Sequence, residues 1–162
     1  MQTTVAGIAL RPMTATDLSF LERLYGSTRE SELARTGWTD AEKTAFIRFQ
    51  FEAQHAHYTK HYADADFLII VQQGQAIGRL YLDWREDELR IVDIALMPGA
   101  RGHGIGGALL AELLDQARER EIAVTIHVEQ MNPAMSLYRR LGFQKIGEHG
   151  VYDLMEWTAP VH

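Results

Sequence analysis

The sequence predicts a single mixed α/β domain: a mostly antiparallel sheet with a central parallel pair and flanking helices. Three observations carry that prediction. The elements follow the order β-α-α-β-β-β-α-β-α-β-β. Strand, loop, helix and strand succeed one another between Leu89 and Glu129, and such a βαβ unit makes its two strands parallel. The chain has 162 residues, enough to bury one core and too few for two ordinary ones, so one domain is expected to span 1–162.

Ile8 to Pro12 reads as a short first strand. Thr16 or Asp17 can cap a helix through Leu18, Leu21, Leu24 and Tyr25, which recur at helical spacing. The Gly26 to Gly37 stretch breaks that pattern and is expected to be a linking loop. Thr39 and Glu42 have capping-box spacing and open a second helix, which runs through an aromatic stripe of Phe46, Phe49 and Ala53 to about His61. Phe67 to Val71 is a continuous apolar run, and the turn Gln73, Gly74, Gln75 joins it to a strand from Ala76 to Asp83. After a charged turn, Arg85 to Glu88, the strand Leu89 to Leu96 is apolar on both faces, as at a sheet centre, with Asp93 interrupting it.

Met97, Pro98 and Gly99 end that strand, and a glycine-rich loop leads into a helix from about Gly104 to Arg120. Leu109, Leu110, Leu113, Leu114 and Ala117 form its inward face, while Arg118 and Arg120 complement its C-terminal dipole. Ile122 to Glu129 alternates: Ile122, Val124, Ile126 and Val128 share one face, and Thr125, His127 and Glu129 the other. A short helix follows Asn132 and Pro133 and stops at Gly142. Phe143 to Glu148 and Val151 to Thr158 close the chain as a hairpin about Gly150.

Composition narrows the function. The net charge of -6 argues against nucleic acid as a partner, which calls for clustered Lys and Arg. With no cysteine, disulfides, thiolate metal sites and cysteine nucleophiles are excluded. The first ten residues lack the basic start and apolar run of a signal peptide, and no stretch reaches the roughly 18 apolar residues of a membrane span, so a cytoplasmic protein is expected.

Arg101, Gly102, His103, Gly104, Ile105, Gly106 and Gly107 lie between a central strand and a helix start, where backbone N–H groups and the helix dipole hold phosphate or pyrophosphate. The alternative is a turn that merely joins two elements. Gly102, Gly104 and Gly107 also satisfy the dinucleotide pattern G-x-G-x-x-G, with Glu129 about where a ribose acid would sit. Against that reading, five residues separate the strand from the glycines, and the unit opens the second half of a small domain. A P-loop is excluded, because no Lys-Ser or Lys-Thr follows the glycines.

Arg101-x-x-Gly104-x-Gly106, preceded by the strand Ile91 to Leu96 and Pro98, resembles the acetyl-CoA pyrophosphate loop of the GCN5-related N-acetyltransferase family. Asn132, Ala134, Leu137, Tyr138, Leu141, Gly142 and Phe143 resemble that family's second signature, N-x-A-x-x-L-Y-x-x-L-G-F. The motifs stand in the family's order and separation, and the likeness covers nearly the whole chain. It implies that backbone groups around Ile94, Ala95 and Leu96 pair with the pantetheine arm on a strand that splays from its neighbour. The loop from Arg101 to Gly107 then holds the pyrophosphate, Asn132 lies at the pantetheine, and Tyr138 stands near the thioester sulfur as candidate general acid. Acetyl-CoA is the implied cosubstrate, and the family's habit of pairing through its C-terminal strands implies a homodimer.

Acetyl transfer to an amine needs a neutral nucleophile, a route for its proton, stabilisation of the carbonyl oxygen and protonation of the leaving thiolate. His127, Asp93 and Glu129, in that order, are candidate bases near the strand ends where open α/β sheets place ligands. Each has a structural alternative: a hydrogen-bonded strand histidine, a buried carboxylate held by an arginine, a solvated strand end. The second helix, with Phe51, His55 and Tyr58, is expected to border the acceptor pocket, as the first two helices do in the family. Arg29, Glu30 and Glu32 of the linking loop would gate it, with Glu30 or Glu32 attracting an ammonium group. No metal is expected: His57 and His61 lie one helical turn apart, but H-E-x-x-H is absent. Two other readings stand beside the enzyme, a CoA- or dinucleotide-binding regulatory module without transfer activity, and an acetyltransferase acting on a peptide terminus.

Overall fold

The computed structural model describes residues 2–160. Among these residues seven strands form one sheet: β1 (Ile8–Pro12), β2 (Asp66–Gln72), β3 (Gln75–Trp84), β4 (Glu88–Leu96), β5 (Ala123–Glu129), β6 (Gln144–His149) and β7 (Tyr152–Trp157). Their order across the sheet is β1-β2-β3-β4-β5-β7-β6. The helices are α1 (Leu18–Leu33), α2 (Asp40–His61), α3 (Ile105–Arg120) and α4 (Met135–Arg140). β4 and β5, joined through α3, are parallel, and every other pairing is antiparallel. The sheet divides two apolar layers: Leu80, Leu82, Leu89 and Ile91 meet α3, while Ile69 meets Leu21, Leu24 and Phe51 of α1 and α2.

α1 differs from the expectation of a loop after Tyr25. The helix passes through Gly26 and continues to Leu33, placing Arg29, Glu30 and Glu32 on it. Gly26 faces α2, where a Cβ would meet Ile47 Cδ1 at 3.2 Å, so this glycine lets two helices approach and does not end one. Ser27 and Thr28 hydroxyls donate to the carbonyls of Leu24 and Tyr25 at 2.6 Å, a local bonding compatible with a helix interior.

In α2 the capping box forms: Glu42 N–H donates to Thr39 Oγ1 at 3.1 Å, and Thr39 N–H to Glu42 Oε1 at 3.0 Å. The inward face, however, is not Phe46, Phe49 and Ala53. Phe49 is 73% exposed, whereas Phe51 is buried and Ile47 packs beside it. Facing a sheet that carries Arg79 and Asp93, the helix turns Gln54 and Tyr58 toward them.

Two irregularities shape the centre of the sheet. Tyr81 pairs with Asp93 but Leu82 with Ile91, so Val92 is an extra, bulged residue. Leu89 and Ile91 face α3, and unbroken alternation would send Asp93 there too. The bulge instead turns Asp93 onto the α1/α2 side, level with Tyr81 and Arg79. Second, the parallel ladder runs only from Glu88↔Ala123 to Ile91↔Ile126, and the last five residues of β4 have no partner on β5.

α4 starts at Met135, two residues later than the proline signal suggested, because Asn132 Oδ1 accepts the Ala134 N–H at 2.8 Å and Pro133 stays in the turn. Gly142, at φ +104°, ends it. Among the described residues, no helix is long and apolar enough to cross a membrane.

Candidate active site

Where β4 and β5 part, β4 keeps main-chain groups that no strand claims. The Met97 N–H donates to Ile77 O on β3 at 2.7 Å. Ladder groups alternate in direction along a strand, so the groups of Ala95 and Asp93 also point to β3, while those of Ile94 and Leu96 point into the gap. An extended chain laid there would find amide and carbonyl partners as an added strand does. Gly78 on β3 permits the tight packing behind this edge: a Cβ on it would collide with the carbonyl oxygen of Ala95.

The gap leads to the start of α3. Gly102 and Gly104 take left-handed backbone, at φ +78° and +81°, and a Cβ on either would stand in open space. Steric room is therefore not what calls for glycine there; the backbone conformation is. No side chain caps α3, so its first N–H groups are left for water or an anion. Arg101, Gly102, His103 and Gly104 are exposed, while the Ile105 side chain is buried and leaves only its backbone on the loop surface. Arg101 Nε donates to Leu96 O at 2.9 Å and Nη2 to Ser27 Oγ at 3.4 Å, spanning from β4 to α1.

Tyr138 packs on the α3 side of the sheet. It is 5% exposed, its ring packs edge-on against Phe143 at 5.6 Å, and burial together with the charge of Asp93 pushes its phenol up to about 12. Asn132 holds the turn that leads into α4, the helix that carries Tyr138.

The three carboxylate and imidazole candidates come from the other face, and each has a different partner. Asp93 is ion-paired with Arg79, whose guanidinium also donates to Gln54 Oε1 at 2.9 Å and lies 5.0 Å from the Tyr81 ring. Glu129 faces Arg29 of α1 at 3.6 Å. His127 is exposed, with Nδ1 3.4 Å from Arg90 Nη1. Partial burial, Arg90 and His149 all hold its pKa below the ordinary value, so the imidazole is neutral at neutral pH and able to accept a proton.

The expected acceptor-side residues separate into two groups. Tyr58 stands at the site: its ring lies 5.7 Å from that of Tyr81 and 5.9 Å from the Arg79 guanidinium. Burial, then the charge of Asp93, raises its pKa. Phe51 and His55 stack on each other at 5.9 Å and line a separate groove of about 560 Å³ between α1 and α2, with Leu18, Glu22 and Arg48. None of Asp93, His127, Tyr138 or the glycine loop borders that groove. The helical period explains the split, since positions 54 and 58 face the sheet while 51 and 55 face α1. Glu30 is exposed on α1, and it is Arg29 that turns to β5. His57 and His61 rings lie 4.5 Å apart, but the described residues hold no group of three His, Cys, Asp or Glu able to bind a metal ion.

Residues 28–143 match the Acetyltransferase (GNAT) family. The chain belongs to that family. Over 80 residues it is 30% identical to a [ribosomal protein bS18]-alanine N-acetyltransferase of Haemophilus influenzae, covering 49% of this chain and 55% of that protein. Over 92 residues it is 42% identical to a streptothricin acetyltransferase of Streptomyces lavendulae, covering 52% and 48%. The chain thus spans about half the length of these curated relatives. In fold it resembles the PaiA N-acetyltransferase of Thermoplasma acidophilum, solved with coenzyme A, at a TM-score of 0.70 and 19% identity over 94% of this chain and 99% of that one.

For a GNAT chain the glycine loop, parted strands and Tyr138 were all legible as motif. Arg79, Gln54 and Arg90 were not. A signal existed for Arg79: the alternation Ile77, Arg79, Tyr81 puts a charge on one face of a central strand, beside an equally anomalous Asp93 on the next. Reading them as a pair required the bulge at Val92, which no sequence pattern announces.

Proposed function

We propose that the protein is an N-acetyltransferase that moves the acetyl group of acetyl-CoA to a primary amine by direct attack in a ternary complex. The observation that carries this reading is the parted β4–β5 edge, whose Ile94 and Leu96 groups are paired with no strand and lead straight to the uncapped, glycine-opened N-terminus of α3. One end suits an extended amide-bearing arm, and the other a pyrophosphate.

On this reading Ile94, Ala95 and Leu96 align the pantetheine arm, with Arg101 swinging off the Leu96 carbonyl to let it in. Backbone N–H groups from Gly102 to Gly107 hold the pyrophosphate. His127 takes the proton that the acceptor ammonium must lose. The neutral amine then attacks the thioester carbonyl, the nitrogen gives its second proton to solvent as the C–S bond breaks, and Tyr138 gives its proton to the departing thiolate. The phenol regains a proton from solvent, so the balance is one amide, one thiol and one proton released. On this reading a β4 amide facing the gap donates to the oxyanion. Asp93 and Glu129 are less suited to proton removal than His127, because Arg79 and Arg29 already engage them.

The relatives carry different acceptors in their names, a ribosomal protein alanine and streptothricin, so a small amine and a peptide terminus are both candidates. The test is isothermal titration of the protein with acetyl-CoA, with NAD as control and G104V as second protein. Micromolar acetyl-CoA binding weakened at least tenfold by G104V, followed by amine-dependent thiol release, is expected. NAD binding alone, or no binding of either, would refute the reading.

A further inference from the structure

The buried Arg79 is the largest polar feature that the transfer chemistry above does not use. Its side chain is only 5% exposed, although it sits on a central strand beneath α2. Nη2 serves Asp93 Oδ2 and Gln54 Oε1, while Nε is buried with no partner. A guanidinium so enclosed has a strong energetic claim on its one counter-charge, and removing that partner would leave an uncompensated buried cation. Asp93 Oδ2 is therefore fixed.

Asp93 Oδ1 is in the opposite situation. It has no hydrogen-bond partner among the described residues, and the Asp93 side chain is 21% exposed. The bulge at Val92 turns it to the α1/α2 side, at the level where β5 has already left β4. Tyr58 flanks it from α2, and His127 lies on the same face of the sheet. Behind the carboxylate the positive charge is buried, so what the gap meets is one negative oxygen held in a fixed direction beside an aromatic ring. That arrangement fits one N–H of an ammonium group, and the aromatic face adds to the attraction.

We propose that Asp93, positioned by Arg79, is the binding point for the ammonium group of a primary alkylamine acceptor and is not the group that removes its proton. This deepens the acetyltransferase reading and rests on it. The carboxylate receives the charged amine at the gap, and His127 then discharges it within reach of the thioester. Acceptors that carry no positive charge, such as alcohols, gain nothing from this site.

The test uses the whole protein saturated with CoA, with n-butylammonium as probe and 1-butanol as its uncharged counterpart, followed by ligand-observed NMR titration. Wild type is expected to bind n-butylammonium saturably and at least fivefold more tightly than 1-butanol. D93N should abolish that preference with the CoA dissociation constant unchanged within twofold. Should D93N fail to fold around an uncompensated Arg79, R79M/D93N removes both charges and is expected to fold, bind CoA and lack the preference. Equal binding of the two probes by wild type, or a preference that survives in either variant, overturns the proposal. Loss of CoA binding by wild type itself would instead overturn the acetyltransferase reading.

Discussion

Replacing Tyr138 with Phe removes one oxygen from a buried ring and leaves its packing against Phe143 intact. The hydroxyl is the candidate proton donor to the thiolate, and its surroundings keep the proton on. Moving a phenol from its ordinary 10 to about 12 favours the protonated form by about 2.7 kcal/mol, so only about one molecule in a thousand is a tyrosinate at pH 9. A donor is therefore present throughout the working range. Loss of a general acid costs roughly 100- to 10,000-fold in rate, so Y138F is expected to lower kcat by that factor with acetyl-CoA affinity unchanged. Thiol release under saturating acceptor, with titration of acetyl-CoA in parallel, measures both.

The same substitution has a stability signature. A pKa raised by folding contributes stability in full below the unfolded value near 10, and this contribution is lost as pH rises through about 12. Between about pH 9 and 11.5, wild type should lose about 1.9 kcal/mol more than Y138F, readable in urea midpoints. A Y138F enzyme within threefold of wild-type kcat would refute the assignment of the donor. Equal alkaline losses in both proteins would refute the burial argument beneath it.

Other perturbations probe the remaining parts. R90Q removes a positive neighbour that helps hold the His127 pKa down, so the ascending limb of the pH–rate profile, which lies below the ordinary histidine value in wild type, should move to higher pH; an unmoved limb would point to another base. G78A places a methyl group against the Ala95 carbonyl and should destabilise the domain by about 1–3 kcal/mol in urea unfolding while weakening CoA binding, because the free β4 edge must shift. Asp17, paired with Arg11 and accepting the Thr14 N–H, has its pKa lowered to about 2. Its contribution is present above the ordinary carboxylate value and lost as pH falls through about 2, so D17N should be less stable than wild type at pH 7 and the two should converge in acid, as followed by circular dichroism.

Elements governed by local signals were legible in the sequence. The capping box at Thr39 and Glu42, the alternation of β5 and the glycine start of α3 each act within a few residues, and each appears where its pattern stands. Departures arose where a residue answers to something distant. Gly26 looked like a helix stop because its use, contact with Ile47, lies on another helix. Hydrophobicity alone favours the aromatic stripe as the inward face of α2, yet the sheet beneath presents Arg79 and Asp93, and the helix meets them with Gln54 and Tyr58. Phe51 and His55 went with the neighbouring helix for the same reason.

That asymmetry follows from what each half of the site uses. Holding an extended arm and a pyrophosphate takes main-chain groups, so it constrains only where a strand ends and where glycine must stand, and such constraints leave a short contiguous motif between Ile94 and Gly107. Receiving an amine, on the proposed reading, takes side chains, and these come from α2, β3, β4 and β5, residues 54 to 127, with Asp93 directed by one extra residue at Val92. Deleting Val92 tests that account. Asp93 would then follow Ile91 directly, with Leu82 and Tyr81 still opposite the two, so the carboxylate is expected to stay on the α1/α2 side beside Arg79. The deletion variant, saturated with CoA, should therefore keep its preference for n-butylammonium over 1-butanol in the NMR titration. A lost preference in a folded, CoA-binding variant would show that the bulge does more than set the direction of Asp93.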